Sequence, residues 1–362
     1  MGDRGIIIFT NHVAPWHIGG SEIVVDKIAE NLSNYVPVVV CGGDVPSFYN
    51  YKNYNQHRVS DISDLNAIFS KYKNYEIFIY SDGYFFTKFI LDYCKLKNKK
   101  VYLAPVGFNI TREKEELKKR ILSYDNIKYI YHDTNYIDFA WGNENLSGIT
   151  GHSYCVIPNG FDDFEFKSVE KKHFNKKSII TIANTFPFKG HDLCINVLDT
   201  LVEEFDFEYH VFCTTPSWLV AKNKMKWLIS EGEKRSKWMH VHVDSKREKM
   251  ISYLKGSSLM LFLSQKEVSP LVLVESCAAA VPWLSFNVGN SKSIPSGMIF
   301  DAEEDYRGNK IMDESLKLKI LNFIKNKIFN DSFIVNKDVS DNFLSERSWS
   351  HISKMYYNFI FK

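Results

Sequence analysis

Short apolar runs alternate along this chain with longer stretches in which apolar positions recur every three or four residues. Residues 5–10 (GIIIFT) read as a strand apolar on both faces, and the spacing in residues 23–32 predicts a helix. Strands at 36–41, 76–80 and 100–105, with helices near 62–72 and 84–95, continue the alternation. Residues 42–60, rich in Tyr, Asn and Gly, read as a loop between them. A strand at 128–131 leads into His132-Asp133-Thr134, and Val156-Ile157-Pro158-Asn159-Gly160-Phe161-Asp162 closes the first half. The pattern then restarts, with strands at 178–183, 209–213, 240–243 and 259–263 and helices at 192–203, around 225–230 and at 246–255. Repeated βα units predict parallel sheets covered on both faces, an α/β fold. Ligands of such sheets bind beyond the carboxyl ends of the strands.

The stretch after the strand at 259–263 is the most informative. It reads SQKEVSPLVLVESCAAAVPW over residues 264–283. Ser269 is placed to cap a helix, and Pro270 fits its first turn, where a missing N–H costs nothing. Leu271 onward is apolar on nearly every side, which marks a buried helix, and Pro282 stops it. Glu275 stands alone in that helix, and Glu267 lies in the loop before it. A buried carboxylate needs a partner, either a protein group or the hydroxyls of a ligand. The free N–H groups of the helix start suit a ligand's phosphates. Gly19-Gly20, opening the first helix, fits either a plain turn or a backbone that comes close to a ligand.

Glu267-x7-Glu275 with Ser-Pro-Leu between resembles the signature of the retaining glycosyltransferases of family four, which share the GT-B fold. That resemblance implies two Rossmann-like domains facing across a cleft. Residues 1–165 would form the acceptor domain and 170–345 the nucleotide-sugar domain, with a terminal helix at 346–362 packing back on the first. The lysine-rich run 167–177 reads as the linker. The resemblance implies that Glu275 binds the donor's ribose, that Glu267 contacts the transferred sugar and that Lys189, in the Lys189-Gly190 segment, neutralises the pyrophosphate. Asn184, Gly19, Gly20, Ser269, Pro270 and Leu271 would complete the donor contacts. The family usually has an Arg where this chain has Asn184, a Gly where it has Val268-Ser269, and a His beside the sugar. For that last role Asn109, Asp82 and His132 are the candidates.

The implied activity is transfer of a sugar, with retention, from a UDP- or GDP-linked donor to a hydroxyl of a glycan or lipid-linked acceptor, as in polysaccharide biosynthesis. A non-catalytic GT-B partner subunit and a sugar-nucleotide epimerase are the alternatives. No cofactor beyond the donor substrate is expected. No metal is expected either, since there is no His-x-x-x-His pair and no Asp-x-Asp after a strand. A net charge of +2 over 362 residues argues against nucleic acid, and the six scattered cysteines read as reduced, so the expected location is the cytoplasm. Residues 95–120 are locally basic, including Lys95, Lys97, Lys99, Lys100, Arg112, Lys114, Lys118, Lys119 and Arg120. With Leu117, Ile121 and Leu122 on one face, a helix there fits either a solvated surface or contact with an anionic membrane at its inner face.

Overall fold

A computed structural model describes all residues except 1–3, 47, 81–85, 107–118, 120, 122, 136, 147–152, 216–218, 307, 332 and 334. The fold divides into two compact units. Residues 1–160 and 349–362 form one, and residues 161–348 form the other. The crossing at 160–161 comes before the lysine-rich run, which the second unit incorporates; Lys172 N–H, for example, donates to the Ser252 carbonyl at 2.9 Å.

The first unit is built on an eight-stranded sheet in the order β3-β4-β2-β1-β5-β6-β7-β8. Its strands are β1 (Ile6–Phe9), β2 (Val38–Gly42), β3 (Phe48–Tyr51), β4 (Tyr54–Arg58), β5 (Glu76–Tyr80), β6 (Val101–Ala104), β7 (Ile127–Tyr131) and β8 (Ser153–Val156). β1, β2 and β6 are buried along their whole length, which is why their sequences are unbroken apolar runs. The helix Trp349–Phe361 belongs to this unit; Ile352, Tyr356 and Ile360 are buried, and Tyr102 Oη donates to the Ile360 carbonyl at 2.7 Å.

The expected loop at 42–60 is instead an antiparallel hairpin, β3 and β4, whose second strand pairs parallel with β2. Its residues are polar, so the apolar pattern misses it. Burial nonetheless alternates along β4, with Tyr54 and Gln56 inside, as the period of a strand requires. Gln56 is fully buried because both ends of its amide are occupied. Nε2 donates to the Ala14 carbonyl at 2.6 Å, and Oε1 accepts from Trp16 Nε1 at 2.9 Å.

The second unit carries six strands: β9 (Lys177–Ile182), β10 (Phe207–Cys213), β11 (Met239–Val243), β12 (Leu259–Phe262), β13 (Trp283–Phe286) and β14 (Gly297–Phe300). Their order is β11-β10-β9-β12-β13-β14, all parallel. The strand order therefore reverses between β9 and β12, the kind of switch point at whose carboxyl strand ends open α/β sheets bind ligands. Helices packed on both faces close two apolar clusters, one around Leu198, Leu261 and Ile320 and the other around Ile180, Leu273 and Trp283.

Candidate functional site

The reversal point of the second sheet gathers the side chains of interest. After β9 the chain makes a 3₁₀ turn, Pro187–Lys189, and Gly190 follows with φ +69°. A side chain at Gly190 would place its Cβ 1.9 Å from the Leu263 carbonyl oxygen. Only glycine satisfies both the left-handed backbone and this close approach to the end of β12. The contact is continued by Gln265 N–H, which donates to the Phe188 carbonyl at 2.7 Å, and by Ser264 Oγ, 3.3 Å from the same oxygen. The two loops are thus sewn together, and Lys189 Nζ meets Glu267 Oε1 at 2.6 Å. The side chains are 16% and 10% exposed, so Lys189 is not a freely solvated lysine.

The loop after β13 fixes the other flank of Glu267. Gly289, at φ +52°, lies so close that a Cβ would come within 2.4 Å of the Val268 carbonyl oxygen. Asn290 Nδ2 donates to Ser269 Oγ at 3.0 Å. This corrects the expected cap: Ser269 is held by Asn290, and Pro270 is the N-cap residue of a helix that runs Leu271–Ala278 without a side-chain cap. The helix starts only four residues after Glu267, on the carboxyl side of β12.

Residues 162–336 match the protein family described as Glycosyl transferases group 1. Solved structures resemble the chain over nearly all its length. Sucrose-phosphate synthase (tll1590) from Thermosynechococcus elongatus aligns with TM-score 0.75 and 11% identity over 98% of both chains. Trehalose-6-phosphate synthase OtsA aligns with TM-score 0.71 and 11% identity over 98% of both. Anabaena Alr3699/HepE in complex with UDP and glucose aligns with TM-score 0.70 and 11% identity over 98% of both. Such low identities speak for fold, and the fold is GT-B. None of the curated proteins matches this sequence.

Within the second unit, Glu275 is 5% exposed and has a protein partner that its apolar surroundings in sequence do not reveal. Arg247, at the start of the helix Arg247–Gly256 after β11, donates from Nη2 to Glu275 Oε1 at 2.5 Å and from Nε to Glu165 Oε2 at 3.1 Å. The arginine was not among the expected site residues, because nothing in its local sequence separates it from a solvated helix start. Asn184 makes local bonds. Its Oδ1 accepts from Phe186 N–H at 3.3 Å, and its carbonyl lies 2.8 Å from His191 Nε2. A carbonyl only accepts, so His191 carries its proton on Nε2, and burial lowers its pKa to about 4.

The remaining expected residues fall in the first unit or outside the described residues. Gly19 is the extended N-cap of the helix Gly20–Leu32, and a Cβ on Gly20 would meet open space. His132, at the carboxyl end of β7, is buried. Its Nδ1 donates to the Ile157 carbonyl at 3.1 Å and its Nε2 accepts from Tyr80 Oη at 3.2 Å; burial lowers its pKa and keeps the ring neutral. Asn109 and Asp82 lie outside the described residues. So does half of the basic segment 95–120. Among its described residues Lys95 and Lys99 donate to the carbonyls of Ser123 and Lys73, at 2.8 and 2.5 Å, and Ile121 is buried. No helix among the described residues is long and apolar enough to cross a membrane.

Proposed function

We propose that the chain transfers a hexosyl group, with retention at the anomeric carbon, from a UDP- or GDP-linked sugar to a hydroxyl of a glycan or lipid-linked acceptor. In this reading residues 1–165 take the acceptor and residues 170–345 the donor. The Lys189–Glu267 pair at the strand-order reversal carries the reading. A diphosphate arriving at these strand ends competes with Glu267 for the Lys189 ammonium. Once released, the carboxylate is free to accept the sugar's hydroxyls. Lys189, as a compact point charge, and the uncapped N–H groups near Leu271 stabilise the charge that builds on the departing diphosphate. Glu275 holds the ribose with the carboxylate capacity left beside Arg247. Asn184 supplies neutral donors where the family usually has a cation, Gly19 and Gly20 contribute donor contacts, and His132 serves the sugar or acceptor. Contact with an anionic membrane surface through the basic residues of 95–120 belongs to the same reading.

Calorimetry with UDP and GDP separates these roles. Lys189→Ala should weaken diphosphate binding about 10- to 100-fold, since a hydrogen bond to a charged group contributes roughly 1.5–3 kcal/mol. Glu267→Gln removes a competing anion, so it should bind the diphosphate at least as tightly as the parent while turnover collapses. Glu275→Ala should lose at least about 1 kcal/mol of nucleotide affinity. Proton NMR of the product's anomeric centre reads retention directly. Weaker diphosphate binding in Glu267→Gln, or an inverted product, would sink the assignment. A non-catalytic partner subunit is the second reading, favoured by the occupation of Glu275 Oε1 by Arg247. It predicts nucleotide binding with no turnover on any acceptor.

A further inference from the structure

A second cluster lies in the first unit, at the ends of β1 and β2. These strands are parallel neighbours with Phe9 opposite Cys41, so the loops that follow them emerge side by side. Thr10 N–H donates to the Cys41 carbonyl at 3.0 Å, and Gly43 N–H to the Asn11 carbonyl at 3.3 Å. Gly42 permits the approach, since a Cβ there would sit 2.4 Å from Val13 Cγ2. His12 on one loop and Asp44 on the other are thereby brought to 3.3 Å, Nδ1 to Oδ2. The chain then turns back: His17 N–H donates to the Val13 carbonyl at 3.0 Å, and the His17 ring stacks on His12 with centroids 4.5 Å apart. The donor atoms of His12, His17 and Asp44 all lie within 4.8 Å of one another.

The geometry points to a divalent metal site formed by His12, His17 and Asp44, taking a borderline transition ion of the zinc class. Two imidazoles and one carboxylate are a donor set suited to such ions, with a fourth position left for water or a ligand oxygen. Tetrahedral zinc with ligands at about 2.0–2.2 Å holds neighbouring donors about 3.3 Å apart, the separation already present between His12 and Asp44. The surrounding bonds fix the set in advance. Both oxygens of Asp44 accept from Val13 N–H, Oδ1 at 3.1 Å and Oδ2 at 3.4 Å, which holds the carboxylate with Oδ2 facing His12. Gln56 anchors the intervening loop at Ala14 and Trp16. Such supporting hydrogen bonds tune metal affinity nearly as strongly as the ligands themselves. His12 and Asp44 side chains are 35% and 24% exposed, so an ion can enter. Glu22, a buried carboxylate in the first turn of the adjacent helix, adds negative charge felt by His12. Sequence spacing points away from a metal because the three ligands come from two separate loops. This site stands independently of the donor reading.

The test uses the full chain, stripped with a chelator and titrated with Zn²⁺ by calorimetry. One equivalent should bind, and a large excess of Mg²⁺ should not displace it. Co²⁺ should give visible bands of a four-coordinate nitrogen–oxygen site without a thiolate charge-transfer band, which separates it from binding at cysteine. His17→Phe keeps the stacked ring but loses the donor, and Asp44→Asn keeps the bond from Val13. Each should weaken Zn²⁺ by at least about 100-fold, the upper end of what loss of a mere supporting bond costs. The metal-free unfolding temperature checks that both variants are folded. Failure to bind one equivalent, or folded variants that bind as tightly as the parent, overturns the proposal.

Discussion

At the scale of single residues, the geometry of the second unit's candidate site depends on two glycines and two ion pairs. Gly190 is the more exacting glycine, because its positive φ and its contact with Leu263 both exclude a side chain. Gly190→Ala should destabilise the chain by at least about 1–3 kcal/mol, the cost of a strained left-handed residue, before the backbone clash is added. Urea unfolding measures it, and an unchanged midpoint would show that the β9 and β12 loops are not locked together. The Lys189-Gly190 motif thus has two separable parts, a charge and a backbone fit. Glu275 shows how a residue's role depends on what folding brings to it. Its isolation in an apolar helix correctly marks it as buried, but the nearest positive partner, Arg247, comes from another helix. Removing Arg247 would leave a buried carboxylate unpaired, whereas changing both partners together removes that penalty.

At the scale of elements, the hairpin β3-β4 is the part of the sheet that polar composition conceals. It is specified by the alternation Tyr54, Gln56 inward and Asn55, His57 toward the other face, and by Lys52 in the left-handed conformation at its turn. Its function in the fold is to present Gln56 to the loop 13–17. Gln56→Leu keeps the volume but leaves the Ala14 carbonyl and the Trp16 indole without their partner, a loss of about 1–3 kcal/mol. Amide hydrogen exchange over residues 11–19 should accelerate clearly, while exchange in β9–β12 stays as in the parent. Equal exchange in loop 11–19 would mean that the strand does not hold it.

At the scale of the whole molecule, buried histidines couple stability to pH. Burial lowers the pKa of His57, His191, His210 and His242 to about 4. His210 and His242 share a cluster across β10 and β11, with Nδ1 and Nε2 3.2 Å apart; Lys249, 3.3 Å from His242 Nδ1, opposes protonation, and burial outweighs Glu208, whose Oε2 lies 3.2 Å from His210 Nε2. The folded chain refuses protons that the unfolded chain, with histidines near 6.5, takes up. Stability from these groups is therefore complete above pH 6.5 and is lost as pH falls from there toward 4. Asp44 works the other way, raising the pKa of His12 through their hydrogen bond and partly offsetting the lowering at His17. The urea midpoint should accordingly drop between pH 7.5 and 5.5. A midpoint that holds or rises over that interval would contradict the buried, neutral state of the cluster.

What the sequence determined by itself was the order of buried strands and covering helices. A strand covered on both faces is an unbroken apolar run, as in β1 and β2, and a fully enclosed helix is apolar all round, as in Leu271–Ala278. The α/β class follows from that repetition, as does the position of the acidic pair on either side of a helix start, whereas the GT-B fold was implied by the family resemblance that pair carries. Tertiary structure alone decided which loops meet. Strand order placed Lys189 after β9 beside Glu267 after β12, and His12 after β1 beside Asp44 after β2, although each pair is far apart along the chain. It also gave Ser269 to Asn290 rather than to the helix N-terminus, and Arg247 to Glu275. The physical reason is the same in every case. Hydrophobic periodicity is a local property of the chain, whereas hydrogen bonds and ion pairs between loops are set by sheet topology, which side-chain spacing does not encode.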